Sequence, residues 1–325
     1  AMVMTVTVTI GQIRMVKVLQ HQDLLLVRRL KRMTTGPIIP ITMDVAQPVN
    51  PFTVLNNKSL RIHMFTFTDA IGQTHKFTES PKRIVSMVPS TTETLYKVGV
   101  GDRIVGVTRY CVHPSVAMQD TTIVGGTKEC NYDRIASLKP DVVFCNQEEN
   151  TPDMVKTFQN MGIPVVVAFP KTHDEALNDI RDICNLFDNQ PQFTQWKTQF
   201  QSSITTLPST RFSYLYLIWR KPWMVAGTNT FIHQQLSLIG GQNLHENTSE
   251  RYITIELDDL RSFDGHILLS SEPYPFLQKH KDELIQEGLP SERIHFINGE
   301  YCSWHGVRML DSIHYLQRWK NNCIT

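Results

Sequence analysis

No apolar run in this sequence approaches the roughly 20 residues that a helix needs to cross a bilayer. Its beginning lacks the charged, apolar and small-residue order of an export signal. As given, the chain reads as cytoplasmic, or periplasmic if the native start differs. Cysteine is scarce, six in 325 residues with no CxxC pair, which excludes a disulfide scaffold and leaves reduced thiols as the default. An excess of charge is missing too, 32 Lys and Arg against 31 Asp and Glu, and the five Trp and nine Tyr do not alternate with basic runs. A nucleic-acid partner is therefore not expected. Absent as well are the Gly-x-Ser-x-Gly elbow, a Walker or dinucleotide loop after Gly125-Gly126 or Gly240-Gly241, and HExxH.

What is present is enough apolar residue, 41%, to bury a sizeable core, and a length that suits two domains. Charge is unevenly spread. Residues 1–63 hold eight Lys and Arg against two Asp, and the remainder holds 24 against 29. This first stretch, basic around Arg28 and punctuated by Pro37 to Pro51, is read as a non-native or disordered extension. From Phe65 short alternating and β-branched runs take turns with helical spacing, the pattern of parallel sheets with crossover helices. Strands are expected at 84–88, 104–108, 141–145, 164–169, 212–219, 266–271 and 294–297. Residues 173–207 keep helical apolar spacing through Ala176, Ile180, Phe187, Trp196 and Phe200. The expected fold is α/β, two Rossmann-like lobes (64–172 and 208–325) with mainly parallel sheets joined by one long backbone helix.

In open α/β sheets ligands gather at the carboxyl ends of strands. Five expected strand ends carry chemistry there. They deliver Arg109, Tyr110, Cys111 and His113; Glu148 and Glu149; Trp219 and Arg220; Glu272 and Tyr274; and Glu300, Tyr301, Cys302, Trp304 and His305. Each has a plainer explanation: His113 before Pro114 can cap a turn, paired carboxylates at a helix start satisfy its dipole, and the cysteines suit a core. Taken together they suggest one cleft. His113, Glu148, Glu272, Glu300 and His305 are the candidate ligands for a divalent metal such as zinc, iron or manganese. Arg109, Tyr110, Cys111, Trp219, Arg220, Tyr274, Tyr301 and Trp304 are the candidate contacts for a small molecule. An alternative is a hydrolase of esters or phosphotriesters, with metal-activated water or a Cys302 nucleophile and Arg220 stabilising developing negative charge.

Several motifs occur together: RIVSMVPSTTETL from Arg83, GDRIVGVT from Gly101 and LKPDVV from Leu138. Their combination resembles the class III substrate-binding proteins of cobalamin and ferric-siderophore importers. YCVHP from Tyr110, GGTK from Gly125, QEEN from Gln147, LIWRKP from Leu217, SEPYPF from Ser271 and GEYCSW from Gly299 look like its helical backbone metal receptor subgroup. The resemblance runs from about Phe65 to Leu316. It implies two lobes on a rigid helix, a corrinoid or metal chelate held between them, little hinge closure, and delivery to an ABC-type importer through surface carboxylates. Glu93 lies where one of those carboxylates would sit.

Overall fold

The computed structural model describes residues 4–10, 13–19 and 65–324, apart from 206, 208–209 and 246–248. Contacts divide the chain into two compact units at Arg61/Ile62. In the first, β1 (Met4–Ile10) and β2 (Ile13–Leu19) pair antiparallel with Ile10 opposite Ile13. The Thr and Val content of these two strands favours extended chain, and the reading of 1–63 as a non-native or disordered extension stays an expectation. The rest of that stretch lies outside the described residues.

The second unit opens with a hairpin, β3 (Phe65–Thr68) and β4 (Thr74–Phe77). Asp69 closes its turn by accepting the main-chain N–H groups of Ile71 and Gln73. A parallel sheet follows, built from β5 (Ile84–Ser86), β6 (Ile104–Thr108), β7 (Thr122–Gly125), β8 (Val142–Asn146) and β9 (Val165–Ala168) in the order β7-β6-β5-β8-β9. The chain winds outward from β5 to β7, then crosses to β8. That reversal leaves a crevice above the carboxyl ends of β5 and β8, where ligands collect in such sheets. Both strands are buried along their length because helices cover both faces, which is why they read as short, mainly apolar runs.

The second sheet is mixed. β10 (Phe212–Trp219) is its centre, parallel to β14 (His266–Ser270) on one side and to β12 (Gly241–Asn243) on the other. β15 (Ile294–Ile297) extends the parallel part. β11 (Trp223–Ala226) and β13 (Tyr252–Ile255) add an antiparallel edge. Both sheets and their helices make two α/β lobes, as expected.

The connector differs from a single long helix. Helices His173–Leu186 and Gln190–Ile204 are separated by a turn in which Asp188 takes φ 55°. The rings of His173 and Phe200 lie 5.6 Å apart, whereas a continuous helix would hold them about 40 Å apart at 1.5 Å per residue. The two helices thus run back along each other. Their apolar faces meet the first sheet, and the same buried cluster takes in Phe231, Val307, Met309 and Ile313 from the second half of the chain. One continuous core therefore crosses the seam between the lobes.

Candidate functional site

Where the loop after β15 meets the crevice of the first lobe, close backbone packing sets the geometry. Gly306 takes φ 89°, and a Cβ there would come within 2.3 Å of Thr94 Oγ1. The N–H of Val307 donates to the same hydroxyl at 3.3 Å. This contact brings the helix Arg308–Cys323 against the helix Pro89–Val98. Arg308 Nε donates to Glu93 Oε2 at 2.8 Å, while Nη1 lies 3.3 Å from Glu300 Oε2. The guanidinium also sits over Trp304, 4.6 Å from the ring centre. Glu93 is therefore buried, not offered at the surface for a partner.

His113 of the first lobe and Glu300 of the second meet as the strand-end rule requires, Nε2 to Oε2 at 3.0 Å. The imidazole stands edge-on to Trp304 at 5.6 Å. Glu272 Oε1 accepts from Ser303 Oγ at 2.6 Å and from Trp304 Nε1 at 3.0 Å. Burial nevertheless raises the Glu272 pKa, with Glu300 and Glu149 adding to the shift from nearby. Burial also raises that of Glu149, opposed by Lys128 and by a hydrogen bond from Thr127. Nearer the rim, Glu148 crosses between lobes to Arg251 and Tyr252. Arg251 in turn covers the ring of Phe169 at 4.5 Å. Tyr110 is 52% exposed and Trp219 42%, the latter edge-on to Tyr274 at 5.5 Å.

The five expected metal ligands do not converge. His113 and Glu300 pair with each other, Glu272 is held by Ser303 and Trp304, and Glu148 by Arg251. His305 turns inward, 3.1 Å from Asn146 Nδ2 and 3.3 Å from Ser90 Oγ, and burial lowers its pKa to about 4. Among the described residues no group of three or more His, Cys, Asp or Glu is placed to hold a metal ion. Arginine, indole and amide partners occupy these donors instead.

The hydrolase alternative loses its named groups in the same way. Cys302 is fully buried and burial drives its thiol pKa up, so a thiolate is not available there. Arg220 is committed to Glu283 and lies over Trp223 at 5.8 Å. Of the other candidate contacts, Cys111 is sealed beneath the hydroxyls of Thr92 and Thr108. Tyr301 stacks on Tyr315 at 4.4 Å, and Arg109 pairs with Glu129 at 3.1 Å. Sequence reasoning missed Arg308, Asn146 and Arg251. The one signal for Arg308 was a lone cation among Val307, Met309 and Leu310, four residues after Trp304.

Two lobes, a helical connector and a seam lined by strand ends define a class III binding protein. The family described as periplasmic binding protein matches residues 84–290, and the chain belongs to it. The Vitamin B12-binding protein of Vibrio cholerae is 24% identical over 240 residues, covering 71% of this chain and 86% of that one. Its counterpart in Yersinia pestis is 27% identical over 174 residues, 51% of this chain and 61% of that one. Among solved structures, the periplasmic vitamin B12 binding protein BtuF of Vibrio cholerae superposes with a TM-score of 0.63 at 20% identity, covering 75% of this chain and 98% of that one. The periplasmic haem-binding protein RhuT of Roseiflexus gives 0.65 at 18%, covering 75% and 99%. At these identities the structural likeness establishes the fold.

Proposed function

We propose that the chain is the binding component for a large metal chelate carried in the groove between the lobes, and that a corrinoid suits it better than haem or an anionic ferric siderophore. The reading rests on the family and on one observation, the pairing of the arginines at the lobe seam. The groove's exposed or half-buried aromatic rings, Trp219, Tyr274 and Tyr110, suit a wide flat ligand. Its described arginines are already matched: Arg251 by Glu148, Arg308 by Glu93 and Glu300. Glu149 and Glu272 remain as buried carboxyls with no arginine on them. Propionates or catecholate oxygens would find no unmatched arginine there among those described to pair with. The peripheral amides of a corrinoid would instead donate hydrogen bonds to those carboxyls.

In this reading the protein works beside an ABC-type importer on the periplasmic side of a membrane. Among the described residues no helix is long and apolar enough to cross a membrane itself. The test is a tryptophan-fluorescence titration of the full chain with cyanocobalamin, hemin and a ferric tricatecholate. Cyanocobalamin should quench with the lowest Kd, and Trp219→Ala should weaken it about tenfold, the loss of one aromatic contact of roughly 1.4 kcal/mol. Tighter binding of hemin would reverse the choice of ligand. Binding of none would remove the reading.

A further inference from the structure

A flat ligand between two facing groups needs them about 7 Å apart, two van der Waals contacts of roughly 3.5 Å each. The lobes stand closer than that in two places. Inside the groove His113 Nε2 lies 3.0 Å from Glu300 Oε2. At the rim the Glu148 carboxylate of the first lobe receives both the guanidinium of Arg251 and the hydroxyl of Tyr252 from the second. The groove of the free chain is therefore bridged by its own side chains. Hinging the lobes apart would expose the buried cluster that runs through the seam from Phe144 and Ile180 to Met309 and Ile313, so opening falls to the rim.

The two bridges differ in how they let go. The His113 side chain is 41% exposed, and Glu300 keeps Arg308 at 3.3 Å when the imidazole swings away. Arg251 and Glu148 are held harder. Their side chains are only 19% and 29% exposed, so the pair is screened less than a surface one. The guanidinium also lies on Phe169 of the first lobe, a contact that strengthens where water is excluded. Glu148 itself is fixed in place, its N–H donating to Asn146 Oδ1 at 2.7 Å and its carbonyl accepting from Lys128 Nζ. Tyr252 belongs to β13, the outermost strand of its sheet, which pairs with β11 alone among the described strands. The moving half of the contact is thus Arg251 with Tyr252.

We propose that the contact of Arg251 with Glu148 is a latch, closed in the free chain, which competes with the chelate for the groove and stays open while the ligand is bound. This rests on the reading of the groove given above and adds how entry to it is regulated. Ligand then binds only the open fraction, and the measured Kd is the intrinsic Kd divided by that fraction. Weakening the latch tightens binding, whereas loss of a ligand contact or of a purely structural pair would not.

The test uses the full chain and the same cyanocobalamin titration, with stopped-flow fluorescence for the rates. Glu148→Gln keeps the shape and removes the charge. It should lower Kd about fivefold, the upper end for a partly exposed ion pair, with kon raised by the same factor and koff unchanged. Arg251→Gln, which breaks the contact from the other lobe, should shift Kd in the same direction. Cyanocobalamin carries no net charge, so salt acts through the protein's own pairs. Raising NaCl from about 0.05 to about 0.5 M should tighten binding to the wild type and not to Glu148→Gln. A readout without ligand is amide hydrogen exchange from Arg251 to Ile255, which should speed up in Glu148→Gln. A Kd that stays level or rises in Glu148→Gln, or exchange that does not change, would overturn the latch. If neither wild type nor variant binds cyanocobalamin the chelate reading falls, and exchange alone decides the latch: faster exchange upholds it and unchanged exchange ends it.

Discussion

Replacing Arg308 by Met should be among the most damaging single changes at the lobe seam. The Arg308 side chain is only 6% exposed, and that of its partner Glu93 only 11%. The 2.8 Å contact between them is the charge compensation Glu93 receives in the hydrogen-bond pattern. Met keeps most of the volume but leaves a buried carboxylate without a counterion, which costs about 3–5 kcal/mol. It also removes the guanidinium from the Trp304 face, a contribution of up to about 2 kcal/mol when desolvated. For a folded unit of this size each kcal/mol moves Tm by roughly 2–4 °C, so Arg308→Met should lower it by about 6–20 °C. The decisive variant is the double change Glu93→Gln/Arg308→Met. With both charges gone the loss should shrink, giving a coupling energy of at least about 2 kcal/mol in the cycle. Urea unfolding followed in parallel by tryptophan fluorescence and far-ultraviolet circular dichroism measures all four proteins and tests for a single transition. A loss below about 1 kcal/mol in Arg308→Met, or a double variant equal to the sum of the singles, would refute the idea that this pair clamps the lobes.

Gly306→Ala should cost about 1–3 kcal/mol, because the residue combines φ 89° with a 2.3 Å approach to Thr94 Oγ1; thermal unfolding that leaves Tm unchanged would contradict the packing described. His305 sets a pH dependence through a folded pKa of about 4 against an ordinary 6.5. Below pH 6.5 the unfolded chain takes up a proton that the folded one refuses, so the full stability holds above pH 6.5 and falls towards pH 4 by up to about 3 kcal/mol. His305→Gln should flatten that part of a stability-against-pH curve, and an unaltered slope would count against burial as the cause.

Strands were legible in the text because a buried parallel strand must be an unbroken apolar run, as at Val142 to Cys145 and Ile267 to Leu269. The rule that ligands meet strand ends brought His113 and Glu300 together across 187 positions. Chain reversal in the connector was not legible: helical spacing runs on through Phe187, and the turn shows only in the positive φ of Asp188. Partner choice was hidden for a different reason. Glu148, Glu272 and His305 carry the atoms that metals prefer, but those atoms are taken by Arg251, Trp304 and Asn146, each more than 30 residues away. Nothing in a single sequence marks such pairs. Glu93 misled likewise, because the resemblance implies a surface carboxylate there and the cation that buries it lies 215 positions downstream.

That separation bears on biosynthesis. Every strand of the first sheet has left the ribosome long before Arg308 is made, so the nascent first lobe carries an unmatched acid on a helix face that will end up dry. Long-range closures of this kind are slow and leave aggregation-prone intermediates. The segment after β15 therefore acts as a keystone: a translation product stopped at Ile297 holds every described strand of both sheets and still cannot complete either half.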